Sequence, residues 1–189
     1  MAQKRKDRNG LISGFKASDL VFLDESGCNT DMTRRYAYSL GGSRAVDSAP
    51  LSKPKNTTIL PSIQLDGTLR YTTFSGGTTV ERFKRYLETD LLPHLNGNSV
   101  LIMDNMKSHH ARAVRNLLDS SEVRCIYLPP YSPDLNPIEK LWSKVKSFLR
   151  KFKARTLDAL PNAIQCAFQT VSLSDCSGWF HSCGYSPYF

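Results

Sequence analysis

At 189 residues, with 25 Lys and Arg against 17 Asp and Glu for a formal net charge of +8, the chain suits one domain with a sizeable core and a polyanionic partner. No apolar run approaches the roughly 20 residues of a membrane span, and the start MAQKRKDRNG lacks the apolar core of a signal peptide, so a cytoplasmic protein with no membrane partner is expected. Cys28, Cys125, Cys166, Cys176 and Cys183 are odd in number and far apart, which argues for reduced thiols; Cys176, His181 and Cys183 lack the paired spacing of a strong zinc motif.

Residues 1–19 are polar and carry Lys4, Arg5, Lys6, Arg8 and Lys16, which predicts a basic arm or linker with no core element. Leu20-Val21-Phe22-Leu23 then reads as a strand buried on both faces, delivering Asp24 and Glu25 where it leaves the core. Short strand-like pieces follow at Tyr36-Ala37-Tyr38, at Thr57-Thr58-Ile59-Leu60 with Ile63, and at Leu69-Arg70-Tyr71, with Asp66-Gly67 as a hairpin signal. Thr78 with Glu81 predicts a capping box, and Val80, Phe83, Leu87 and Leu91 form a helical stripe that stops by Pro93.

Ser99 to Met103 repeats the first design, a buried-strand run ending in an acid, here Asp104. A helix with Ala111, Val114, Leu117 and Leu118 on one side follows, and Val123 to Leu128 reads as another strand. Asn136-Pro137 marks a helix start, an N-cap residue followed by the ring suited to a first helical position. Beyond it Ile138, Leu141, Trp142, Val145, Phe148, Leu149 and Phe152 form the buried stripe, while Glu139 shares another face with Lys146, Arg150 and Lys153. A packing helix over Leu157 to Val171, despite Pro161, and an irregular tail through Trp179 end the chain. The order of elements predicts an α/β layer fold with a mixed central sheet flanked by helices. The domain plan expected is an arm at 1–19, a catalytic domain at 20–175 and a tail at 176–189.

Asp24, Asp104 and Glu139 each stand where an element leaves the core. Were those exits neighbours, three hard oxygen ligands would meet, a set suited to magnesium or manganese with phosphate oxygens completing the shell. For either aspartate alone a turn or cap role is as good an explanation, and Glu139 at the third helical position also fits a capping box with Asn136.

The motifs decide between these readings. LIMDN at 101–105 followed by His109, LPPYSPDLNPIEKLW at 128–142, and FLDESG at 22–27 resemble the signatures of DDE transposases, in particular the mariner-like bacterial insertion-sequence branch (insertion sequence 630 group). The 34 residues between Asp104 and Glu139 match the spacing of that superfamily. The resemblance implies a ribonuclease-H-like fold, two divalent ions, Mg2+ or Mn2+, held by Asp24, Asp104 and Glu139 as the catalytic acids, and DNA strand cleavage and transfer. Asn105 and His109 fit the family's pattern after the second acid, as supports of the site or as helix-entry residues; Asn136 is expected to cap the helix and so aim Glu139; and Lys140, Lys144, Lys146, Arg150 and Lys153 are read as phosphate contacts, against the ordinary alternative of a solvated helix face.

Expected partners are element ends and target duplex, an upstream helix-turn-helix protein or N-terminal module that this stretch does not contain, and a homodimer as a candidate assembly. The expected location is the bacterial cytoplasm, at the nucleoid. Two alternatives stay open on the residues: a nuclease of the same fold that cuts without joining, and a catalytically silent DNA-binding fragment that regulates a transposase.

Overall fold

The computed structural model describes residue 12 and residues 14–34, 36–48, 50 and 54–185. A mixed sheet contains β1 (Leu20–Leu23), β2 (Ser26–Cys28), β3 (Thr57–Gln64), β4 (Leu69–Ser75), β5 (Val100–Met103) and β6 (Arg124–Tyr127). Against it pack α1 (Val80–Tyr86), α2 (Arg112–Ser120), α3 (Pro137–Phe152), α4 (Ala159–Gln169) and α5 (Leu173–Ser182).

β4 pairs antiparallel along one edge of β3, while β1 and β2 pair in succession along the other, with Leu23 opposite Ser62 and Ser26 opposite Ile59. The step is three residues on both sides, so nothing is inserted: β1 and β2 are one strand interrupted at Asp24 and Glu25. At the break the Asp24 N–H still donates to the Pro61 carbonyl at 3.3 Å. On its other side β1 runs parallel to β5, and β5 parallel to β6. The β3–β4 hairpin turns at Asp66-Gly67 as expected, with Gly67 at φ +84° and the Asp66 carboxylate accepting from the Thr68 N–H at 2.8 Å.

Alternation along each strand splits the core in two. Leu20 and Phe22 of β1, Ile59 and Ile63 of β3, and Val100 and Ile102 of β5 face the layer of α3, α4 and α5. Val21, Leu23, Leu60, Leu101 and Met103 face α1, α2 and the turn that follows α1. In α3 the predicted stripe is buried at Ile138, Leu141, Trp142, Val145 and Leu149, whereas Phe148 is half-buried and Phe152 exposed at the helix end.

Several expectations are corrected. Tyr36-Ala37-Tyr38 is not a strand; it lies in an irregular excursion, fully exposed. The cap of α1 is Thr79 rather than Thr78, its hydroxyl accepting from the Arg82 N–H, and the helix runs on through a π turn at Leu87–Leu91 and a 3₁₀ turn at Leu92–His94 that absorbs Pro93. Pro161 sits in the first turn of α4, where it interrupts no intrahelical bond.

The supposed irregular tail contains most of α5, opened by a capping box between Ser172 and Asp175, and Phe180 packs edge-on against Phe22 at 5.2 Å. At the other end Ile12 enters the core although no core element was expected there. The expected basic arm residues Lys4, Arg5, Lys6 and Arg8 lie outside the described residues. No described helix is long and apolar enough to cross a membrane.

Candidate active site

β1 and β5 are neighbours in register, Phe22 beside Ile102, and two more residues along each strand bring Asp24 level with Asp104. Adjacent strands stand about 4.8 Å apart, so these two backbones leave the core side by side. Glu139 reaches the same edge because β6 runs parallel to β5 and hands the chain to a turn and then to α3. That turn is tied back: the Leu128 N–H donates to the Met103 carbonyl at 2.8 Å, and Asn105 Nδ2 to the Leu128 carbonyl at 3.3 Å.

Asn136 is the joint between strand and helix. Its Oδ1 accepts from the Ile138 N–H at 3.3 Å, capping α3, while its Nδ2 donates to Asp24 Oδ2 at 3.2 Å. The Asn136 N–H goes to the Pro133 carbonyl, so Glu139 has no capping-box donor to satisfy and its side chain is exposed. The capping-box explanation of Glu139 is thereby removed.

Asp24 is only 9% exposed. Burial above all pushes its carboxyl up to about 7; the Glu25 N–H at 2.8 Å pulls the other way, and the charges of Asp104, Glu139 and Glu25 add to the rise. Asp104, Glu139 and Glu25 therefore stand close enough to Asp24 for their charges to act on it.

Asp104 is held differently. Its Oδ1 meets His109 Nδ1 at 2.9 Å and the Met106 N–H at 3.1 Å; burial opposes its ionisation, but these partners outweigh burial and hold it below the ordinary carboxylate range. His109 is fully buried and stacked on Phe83, with Nε2 facing Glu25 Oε2 across 3.8 Å, too long for a hydrogen bond. Burial works to lower the imidazole, yet the Asp104 and Glu25 carboxylates prevail and raise it to about 9.

His110 Nε2 meets Asn105 Oδ1 at 2.6 Å and its ring lies against Tyr127, so Asn105 is engaged in holding the turn. Glu25 is the group that sequence reasoning passed over as a contributor. Its signal was the second acid of FLDESG, adjacent to Asp24.

Among the described residues no three His, Cys, Asp or Glu side chains stand at metal-holding geometry. Asp104 instead faces His109. The donor chemistry nonetheless fits a hard cation: oxygen donors only, one of them kept half-protonated near neutrality by burial first and by its acidic neighbours second.

The predicted cations divide. Lys144 pairs with Asp175 of α5, and Lys153, at the left-handed C-cap of α3, grips both oxygens of Asp47. Lys146 lies 5.8 Å over the Trp142 ring and, with Arg150, lines a cleft beside β2. Lys140 shares a separate groove with Glu139 and Trp179.

A mixed sheet whose central parallel strands end in acids, flanked by helices on both faces, is the ribonuclease-H-like architecture. The Mos1 transposase in its paired-end complex with the left transposon end superposes with a TM-score of 0.77 at 20% identity, covering 94% of this chain and 55% of that one. The Mos1 catalytic domain with Raltegravir and Mg superposes at 0.68 with 18% identity, covering 97% of this chain and 90% of that domain.

The chain belongs to the DDE superfamily endonuclease family, whose model matches residues 19–161. The transposable element Tc1 transposase of Caenorhabditis elegans is 29% identical over 97 residues, 49% of this chain and 36% of its own length. The chain thus spans about a third of that curated relative.

Proposed function

We propose that this chain is the catalytic domain of a transposase that cuts a DNA strand at an element end and joins the freed 3′-hydroxyl to target DNA. The observation that carries the reading is the convergence of Asp24, Asp104 and Glu139 on one sheet edge, with Asp24 held by Asn136 and its carboxyl raised by burial first and by the other acids second. Asp24, Asp104 and Glu139 would hold two divalent ions, Mg2+ or Mn2+. Bound there, such ions would activate the attacking oxygen and stabilise the leaving one.

The chain's own residues supply position. Asn136 fixes Asp24 relative to α3, His109 fixes Asp104, and the helix start turns Glu139 toward solvent where a strand can approach. Lys146 and Arg150 neutralise phosphates along the same face of α3. The long third motif and the 34-residue spacing before Glu139 support the bacterial insertion-sequence branch. The partners are then element-end and target duplex, with end recognition supplied by a helix-turn-helix module on a longer chain or a separate one.

The test has two substrates: a supercoiled plasmid scored for Mg2+- or Mn2+-dependent nicking, and a duplex with a recessed 3′-hydroxyl scored for joining to that plasmid. Nicking and joining, both abolished in Asp24→Asn, Asp104→Asn and Glu139→Gln, support the proposal. Nicking without joining would make the chain a nuclease, and binding without either would make it a silent fragment. A single acid variant with near-normal nicking would remove that residue from the site.

A further inference from the structure

Between β2, the segment after it and α3 lies a cleft of about 870 Å³. It begins at Gly27, three residues past Asp24, and is closed on the α3 side by Lys146 and Arg150. These stand about two and three turns beyond Glu139 on the same helix face. Cys28 and Met32 give the cleft an apolar floor, and Arg34, Lys146 and Arg150 its charge, against Asp31 as the one acid among its described lining residues. None of the three cations forms an ion pair with a described residue, unlike Lys144 and Lys153 nearby.

Two further features point to an occupant. Asn29 lines the cleft with its Oδ1 buried and without a hydrogen-bond partner among the described residues, an acceptor whose burial is costly unless something brings a donor. Tyr36 stands at the cleft 91% exposed, an aromatic ring that packs on no core. The wall is also preset: Arg155 donates to the Thr30 and Met32 carbonyls at 3.1 and 3.2 Å, and Lys153 pins Asp47, so the C-cap of α3 and the segment just after it hold the excursion at two points.

We propose, on the basis of the DNA-processing function above, that this cleft receives one unpaired nucleotide of the strand next to the reacting phosphate. Its phosphate would lie on Arg34, Lys146 and Arg150, its base against Tyr36 over the Cys28–Met32 floor, and a base N–H on Asn29 Oδ1. A paired base has its hydrogen-bonding edge occupied and its faces stacked, so intact duplex reaches only the cationic rim. The charge also disfavours a second copy of this cationic chain in the same place, which would bring like charge to the cleft.

The experiment titrates the full chain, with Mg2+, against three probes carrying 2-aminopurine: paired within a duplex, unpaired in a single-stranded tail, and opposite an abasic site. The expected result is tighter binding of the unpaired probes with quenching of the fluorophore. Tyr36→Ala should weaken those probes by about 5- to 100-fold while duplex binding stays within about 2-fold, and Tyr36→Phe should retain wild-type behaviour. Preference for the tail identifies a strand end as the source, and preference for the abasic duplex identifies a base turned out of the helix.

Because Tyr36 is exposed, its substitution does not threaten folding. Equal weakening of all probes by Tyr36→Ala, or wild-type duplex binding with no preference for an unpaired base, overturns the proposal and leaves the DNA function standing. A Tyr36→Ala chain that binds every probe normally but loses self-association assigns the exposed ring to a protein contact instead. Failure of the wild-type chain to bind any probe overturns the DNA function itself.

Discussion

Asn136 makes one buried hydrogen bond to Asp24 and one to its own helix, and two substitutions separate them. Asn136→Ala loses both: the cap is worth about 1 kcal/mol, and a buried acceptor left without its donor about 1–3 more, so a loss of about 2–4 kcal/mol is expected at any pH where Asp24 is charged. Asn136→Asp keeps the cap but replaces the donor to Asp24 with a second carboxylate. At the 3.2 Å of the present contact two charges repel by about 5 kcal/mol at an effective dielectric constant of about 20.

Protonation relieves that repulsion, and Asp24 is already raised to about 7 by burial and its neighbours. At about pH 5.5 the protonated Asp24 can donate to the new carboxylate, so Asn136→Asp should be within about 1 kcal/mol of wild type, whereas at about pH 8.5 it should lose about 2 kcal/mol or more. Urea unfolding at both pH values, in chelator, measures this. Equal loss for Asn136→Asp at the two pH values, or none at the higher, would refute the coupling between the helix cap and Asp24.

The same linkage predicts the metal-free chain's own pH profile. Asp24 has a folded pKa of about 7 against an ordinary 3.8, so its neutral form favours folding at acid pH and stability falls as pH rises from about 4 to 7; His109, raised to about 9 from 6.5, loses its contribution from about 6.5 to 9. Asp24→Asn should therefore stabilise the chain above neutrality by up to about 4 kcal/mol and flatten the lower part of that slope, read by chemical denaturation in chelator. Phe180→Ala should cost about 3–5 kcal/mol in the same assay, because α5 packs on Phe22 as part of the core; a loss under about 1 kcal/mol would return residues beyond 175 to the status of a tail. Ser172→Ala should cost about 1 kcal/mol through the lost capping box. Replacing Lys146 and Arg150 together should flatten the salt dependence of duplex binding by about 2 in the log–log slope if each meets one phosphate, whereas Lys144→Ala, paired with Asp175, should leave it nearly unchanged.

Local chemistry made much of this protein legible before folding. The runs at Leu20–Leu23 and Val100–Met103 announced buried strands because such strands need apolar side chains on both faces, and Asn136-Pro137 announced a helix start because cap and ring are chosen by backbone geometry alone. The acids that follow these elements were visible for the same reason: they mark where the chain leaves the core. The excursion after β2 misled because alternating aromatics look like a strand whether or not a partner strand exists, and Tyr36 and Tyr38 find none.

Other features depend on contacts between distant parts of the chain. That Asp24 is buried and repelled by Asp104 and Glu139, that Asn136 reaches across 112 positions to hold it, and that His109 lies between Asp104 and Glu25 follow from the parallel register of β1 and β5 and from the return of β6. The same holds for which cations stay available: Lys144 and Lys146 are alike in sequence, and only the docking of α5 puts Asp175 against one of them. Local pattern reports what each residue prefers for its own backbone and its own solvent exposure. Charge neighbours separated by a hundred residues are set by how the layers pack, and it is burial together with those neighbours that sets Asp24 apart from an ordinary aspartate.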